Sequence, residues 1–284
     1  DYNATPVFSN GVSLVGGNVI VPSGVTSFTV TVTTIDDTVI DTASPETLPL
    51  IIGGATGTGG ILDNEQPSIT TIHPGAPATT DDNVTFVSAT TLSGPVAIST
   101  GSGIGTIAFN STLNGGQTLS LTAGTGNIDF DGIVGGTTPL GAVTIVSALN
   151  VTADAAFSAA SLLQSAGTGT TTLTGLVTTT AVAGVSLTGT HLVITGGITT
   201  SNSGVVTINE SGTVTIATTG DITADGAVSI TGTGGISTAG DVTTTNDNVT
   251  FVSAATLSGP VAISTGSGIG TIAFNSTLNG AQTL

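Results

Sequence analysis

Five carboxylates, Asp36, Asp37, Glu46, Asp63 and Glu65, fall within 30 consecutive positions, with Asn64 among them. All six side chains offer hard oxygen donors, the ligand type that Ca2+ prefers. The chain carries 17 Asp and Glu and no Lys or Arg, so a cation is the available neutraliser for such a cluster. The same acids also suit solvated turns, where Asp and Asn bond their own backbone.

Two further acid pairs have the composition that glycoside hydrolysis needs. Asp129 and Asp131 flank Phe130 and share one strand face, and Asp221 and Asp225 could meet across a turn. A catalytic acid needs a desolvated pocket to raise its pKa. With no Trp, one Tyr and 3% aromatic residues, the chain has little to stack a sugar ring. A lyase would lack a basic group, and no Ser lies in a nucleophile motif. His73 sits in a Pro-rich stretch and His191 heads a strand, neither with a partner that spacing assigns. The expectation is a chain that is not an enzyme, with a carbohydrate-active β-helix enzyme as the least favoured alternative.

The charge balance excludes other partners. A formal charge of −17 without basic side chains leaves nothing to displace counterions from phosphates, so no nucleic acid is expected. A polybasic membrane contact is absent for the same reason. No apolar run reaches the ~18 residues of a membrane helix, so no membrane insertion is expected. The absence of Cys removes disulfides and thiolate chemistry.

These side chains must be positioned by strands. The apolar residues are mostly β-branched and alternate with Thr or Ser, as in Phe28-Thr29-Val30-Thr31-Val32. Helical periodicity is missing apart from a weak case over 153–164. The chain reads as all-β, in two regions.

Over 1–66, Asn10-Gly11 and Gly16-Gly17 punctuate candidate strands at 12–15, 18–21, 27–33, 47–52 and 57–62. Phe28, Val30 and Val32 would face a core and Thr29, Thr31 and Thr33 solvent. An immunoglobulin-type sandwich takes ~100 residues, so this region reads as a partial one. The run 21–30, Asp36-Asp37, Pro45-Glu46-Thr47-Leu48 and Gly60-Ile61-Leu62-Asp63-Asn64-Glu65 resemble the calcium-binding immunoglobulin-like or Calx-beta-like extender repeats of large bacterial surface adhesins. The resemblance implies that Asp36, Asp37, Glu46, Asp63, Asn64 and Glu65 bind Ca2+ near a junction between modules; Glu65 stands where that family more often has Asp. Residues 67–80, with Pro67, Pro74, Gly75 and Pro77, read as a linker.

From 81 to 284 a short period appears. One series of strand motifs ends at Phe86, Phe109, Phe130, Leu173 and Ile216, and a second interleaves at Ile98, Leu121, Ile145, Leu187, Ile208 and Ile230. Steps such as 109 − 86 = 23 and 230 − 208 = 22 set a rung of about 22 residues carrying at least two strands. Short strands, Gly-rich turns and a period of this size are the signature of a parallel β-helix, whose turns bury their apolar side only by stacking. Gly105-Thr106-Ile107-Ala108-Phe109-Asn110 and the stretch 121–130 resemble the filamentous-haemagglutinin-like and autotransporter-like β-helices of bacterial adhesins. Such motifs encode rungs and imply no reaction.

Above this period lies a longer one. Residues 82–119 return as 247–284, an offset of 247 − 82 = 165, with changes only at Thr90/Ala255 and Gly116/Ala281. That offset holds seven or eight rungs. The second copy stops at Leu284 in mid-repeat, and no signal segment precedes Asp1, which suggests a window cut from a longer polypeptide.

The Thr runs 170–172 and 178–180 suggest ladders of the ice-binding kind, although equivalent positions in other rungs hold Ala, Ser or Asn. Asn3, Asn83, Asn110, Asn150, Asn209, Asn248 and Asn275 match the N-glycosylation acceptor pattern. Together these features predict a structural segment of a secreted, cell-surface adhesin or extracellular filament: a calcium-stiffened stalk whose partners are copies of itself or adjacent repeats, with surface glycans or other cells engaged by regions outside this chain. The alternative is a self-assembling filament or sheath subunit joined by strand donation between subunits.

Overall fold

A computed structural model describes residues 5–16, 18–31, 46–52, 55–61, 71–72 and 78–284. The chain divides into two compact units, Asp1–Pro67 and Ser68–Leu284. All regular structure among the described residues is β.

In the first unit, three antiparallel two-stranded ladders form: Val7–Phe8 with Val30–Thr31, Ser13–Val15 with Asn18–Ile20, and Glu46–Ile52 with Ala55–Ile61. Phe28 and Val30 are half-buried while Thr29 and Thr31 are exposed, the alternation expected from the sequence. The Phe8 and Phe28 rings lie 6.1 Å apart. No two of the ladders join into a sheet among the described residues.

The second unit is a parallel β-solenoid of about nine turns. Its third face is a ten-stranded parallel sheet running from Val84–Phe86 to Leu278–Asn279. In that sheet Val84 is in register with Ile107, then Ile128, Val151, Thr171, Leu192, Val214, Ile236, Ala255 and Leu278. The nine steps cover 278 − 84 = 194 residues, about 22 per turn.

Each turn crosses three faces, most turns with a separate strand on each. Between Ile128–Phe130 and later third-face strands such as Thr170–Leu173 the chain crosses a first face, where Phe157, Val177, Ile198, Ile222, Val242 and Ile263 stack in register. It then crosses a second face, where Val96, Leu119, Val143, Leu162, Val185, Val206, Val228, Val249 and Ile272 stack. The long strands Leu140–Ser147 and Phe157–Gln164 serve both of these faces and merge them into one sheet. Residues 157–164 thus form a strand where the sequence hinted weakly at a helix. Thr71–Ile72 pairs in parallel with Thr90–Leu92, and Ala78 bridges Ser99, so solenoid pairing is already present within 67–80.

The alternation of the sequence puts one apolar set inside. Val, Ile, Leu and Phe from all three faces form a single continuous core. Stacking in register pairs like with like, most visibly Phe86, Phe109 and Phe130, whose rings stack at 4.8 and 5.5 Å. Such ring pairs contribute about 0.5–1.5 kcal/mol each beyond area burial. The corners are tight. At Gly184 φ is +57°, and an added Cβ would lie 2.0 Å from the Val205 carbonyl oxygen of the next turn, so a side chain is excluded on both grounds.

The long repeat keeps its local structure in both copies. Phe251 and Phe274 stack at 4.9 Å as Phe86 and Phe109 do at 4.8 Å. Thr265 Oγ1 donates to the Gly270 carbonyl as Thr100 Oγ1 does to that of Gly105. The faces differ, however. Val84–Phe86 lies on the third face, whereas its copy Val249–Phe251 lies on the second; Thr90–Leu92 lies on the first and its copy Ala255–Leu257 on the third. Seven steps lead from Val84 to Ile236 on the third face, and Val249 follows two faces later. The 165-residue offset therefore equals seven and two-thirds turns.

Candidate functional site

Of the residues read as calcium ligands, Asp36, Asp37, Asp63, Asn64 and Glu65 lie outside the described residues, and Glu46 opens the strand Glu46–Ile52. Among the described residues no group of three or more His, Asp or Glu is placed to hold a metal ion.

Three of the four paired acids of the solenoid accept hydrogen bonds between turns. Asp129 points outward from Ile128–Phe130 and accepts a 2.7 Å hydrogen bond from Thr152 Oγ1 on the next turn. Asp131 is exposed just past the end of that strand. Asp221 and Asp225 serve opposite neighbours: Asp221 Oδ1 accepts from the Asp241 amide one turn on, and Asp225 Oδ2 from the Ser203 amide one turn back. Asp241 continues the first pattern by accepting from the Ala262 amide at 2.7 Å. A surface depression of about 420 Å³ holds Asp221 and Asp241 together with Thr218, Pro260, Val261 and Thr283.

His191 finds the partner that spacing could not assign. Its Nδ1 lies 2.9 Å from Thr213 Oγ1 and accepts from the Thr213 amide at 3.1 Å. The ring caps the turn above it. Asn residues act alike: Asn127 Oδ1 accepts from the Asn150 amide and side chain, and Asn150 Oδ1 from the Thr170 amide. The Nδ2 of Asn150, one of the acceptor-pattern residues, is thereby tied to Asn127.

On the first face the outward positions are more regular than the sequence suggested. Ser158, Thr178, Thr199, Thr223, Thr243 and Ser264 stack in one unbroken hydroxyl column. The column is one residue wide, because the three-residue strands there show only their middle side chain to solvent. Two outward rows coexist on the second face over Ser186/Thr188, Thr207/Asn209 and Ser229/Thr231.

The chemically unusual group is one that sequence reasoning missed. In Val206–Glu210 the burial alternates, so Glu210 points inward after Val206 and Ile208 and is 1% exposed. Burial pushes its carboxyl up to about 7. Gln164, also 1% exposed, reaches the same interior and accepts from Thr171 Oγ1 at 2.8 Å. The signal was present: both residues sit at the inward phase of an apolar alternation. No family model, curated protein or solved structure matches the chain, so its functional reading rests on the solenoid and these side chains.

Proposed function

We propose that the chain is a non-enzymatic structural segment of a secreted, cell-surface adhesin or extracellular filament, acting as a rod. One observation carries the reading: the polar side chains that could do chemistry on the solenoid surface instead bond one turn to the next, as Asp221, Asp225, Asp241, His191 and Asn150 do. About nine turns at ~4.8 Å give a rod on the order of 45 Å. In this reading Asp36, Asp37, Glu46, Asp63, Asn64 and Glu65 bind Ca2+ and stiffen the first unit. Adjacent repeats or copies of the chain are its partners, and any adhesive contact lies elsewhere in the assembly.

A second reading, a filament or sheath subunit completed by strand donation, is favoured by the three two-stranded ladders of the first unit. Their outer edges are unpaired among the described residues, and such edges accept further strands. Electron microscopy of the purified chain, with melting followed in calcium and in chelator, separates these readings. Single short rods whose first transition drops on chelation support the stalk; ordered fibres support the subunit; a melting curve indifferent to chelator removes calcium from either.

A further inference from the structure

The interior of a solenoid is normally apolar, and the corner occupied by Glu210 departs from that. Both carboxyl oxygens of Glu210 and Nε2 of Gln164 are buried without a hydrogen-bond partner among the described residues. An orphaned buried polar group costs about 1–3 kcal/mol, so three such atoms in one place call for an explanation.

Glycines surround them. Gly189 and Gly232 are the strand neighbours of Glu210 on either side. A Cβ built on Gly189 would lie 2.9 Å from Glu210 Oε2, 3.2 Å from Gln164 Nε2 and 3.5 Å from the Gly167 carbonyl oxygen. The two side-chain atoms are therefore no more than about 6 Å apart. A Cβ on Gly167 would lie 2.5 Å from Gln164 Nε2. A water bridging an amide N–H and a carboxyl oxygen at hydrogen-bond length spans up to about 6.2 Å.

We propose that Glu210, Gln164 and the Gly167 carbonyl build an internal binding site for one water molecule, against the bare backbones of Gly167 and Gly189, where a side chain would crowd the carboxyl and the amide. The water accepts from Gln164 Nε2 and donates to Glu210 Oε2 and to the Gly167 carbonyl. Three partners are the usual number for a buried water. The inward N–H donor of Gln164, fixed because Oε1 is already taken by Thr171, repels a cation and selects water over a metal ion.

The test is a crystal structure of the whole chain with ordered solvent, joined to oxygen-17 relaxation dispersion of the wild type and Gly189→Ala. The expected results are one ordered water within hydrogen-bond distance of Oε2 and Nε2, and a count of long-lived internal waters that falls by about one in the variant, with the strand signature in circular dichroism kept. Direct contact between Glu210 and Gln164, a cation ringed by oxygens, or an unchanged count in a folded Gly189→Ala overturns the proposal.

Discussion

Glu210 gives the solenoid a pH dependence with a definite sign. Its folded pKa, about 7, lies above the ordinary 4.5, so the folded chain holds this proton more tightly than the unfolded one. The associated stability is complete below about 4.5, declines as pH rises toward 7 and is flat beyond. Gln164, Gly189 and Gly232, which lie against it, do not titrate. Glu210→Gln should therefore gain up to about 3 kcal/mol relative to wild type on going from pH 4 to pH 8. Denaturant melts of both proteins at the two pH values check this; parallel curves would show that Glu210 is not the titrating group. The inward placement of Glu210 was legible in Val206-Thr207-Ile208-Asn209-Glu210. Its meeting with Gln164 was not, because steps between turns vary, as from Ile236 to Ala255 (19) and from Val84 to Ile107 (23), and only the actual register decides which corner covers which.

At the scale of the strand and its corner, the governing interaction is a side chain on one turn holding a backbone amide of the next. Asp221→Asn keeps an acceptor for the Asp241 amide and should leave stability nearly unchanged, whereas Asp221→Ala should cost about 1 kcal/mol. Amide hydrogen exchange at Asp241 reads the difference locally, and equal protection in both variants would reduce Asp221 to a solubilising acid. The same scale explains what the sequence concealed. Third- and second-face strands announce themselves through two inward apolar residues, as in Val214-Thr215-Ile216 and Val206-Thr207-Ile208. First-face strands such as Val177–Thr179 and Ile198–Thr200 hold one inward apolar residue and one inward Thr, so no apolar alternation marks them. Only two of the three strands per turn were therefore visible. Their inward hydroxyls fare differently: Thr200 Oγ1 bonds the Gly204 carbonyl inside the corner, whereas Thr179 Oγ1 has no partner among the described residues.

For the whole molecule, a chain without Lys or Arg offers trypsin no site, so incubation of the native protein with trypsin should leave it intact, and fragmentation by trypsin alone would contradict the composition-based reading. A solenoid also distributes its stability over nearest-neighbour turns, so partial unfolding should begin at the terminal turns and spare central strands such as Thr170–Leu173 and Val206–Glu210. The coil period and the long repeat were both legible, yet their ratio emerged only when strands were assigned to faces. That ratio governs how the rod looks from outside. Because the repeat is out of step with the coil by a third of a revolution, an antibody raised against residues 82–119 would meet its two epitopes pointing about 120° apart and about 37 Å along the axis. A polymer of this unit would show the same sequence to every side in rotation, coming back to its starting side with every third copy. Such a fibre has no front or back, and a flat surface laid along it meets any given residue of the unit in only one copy out of three.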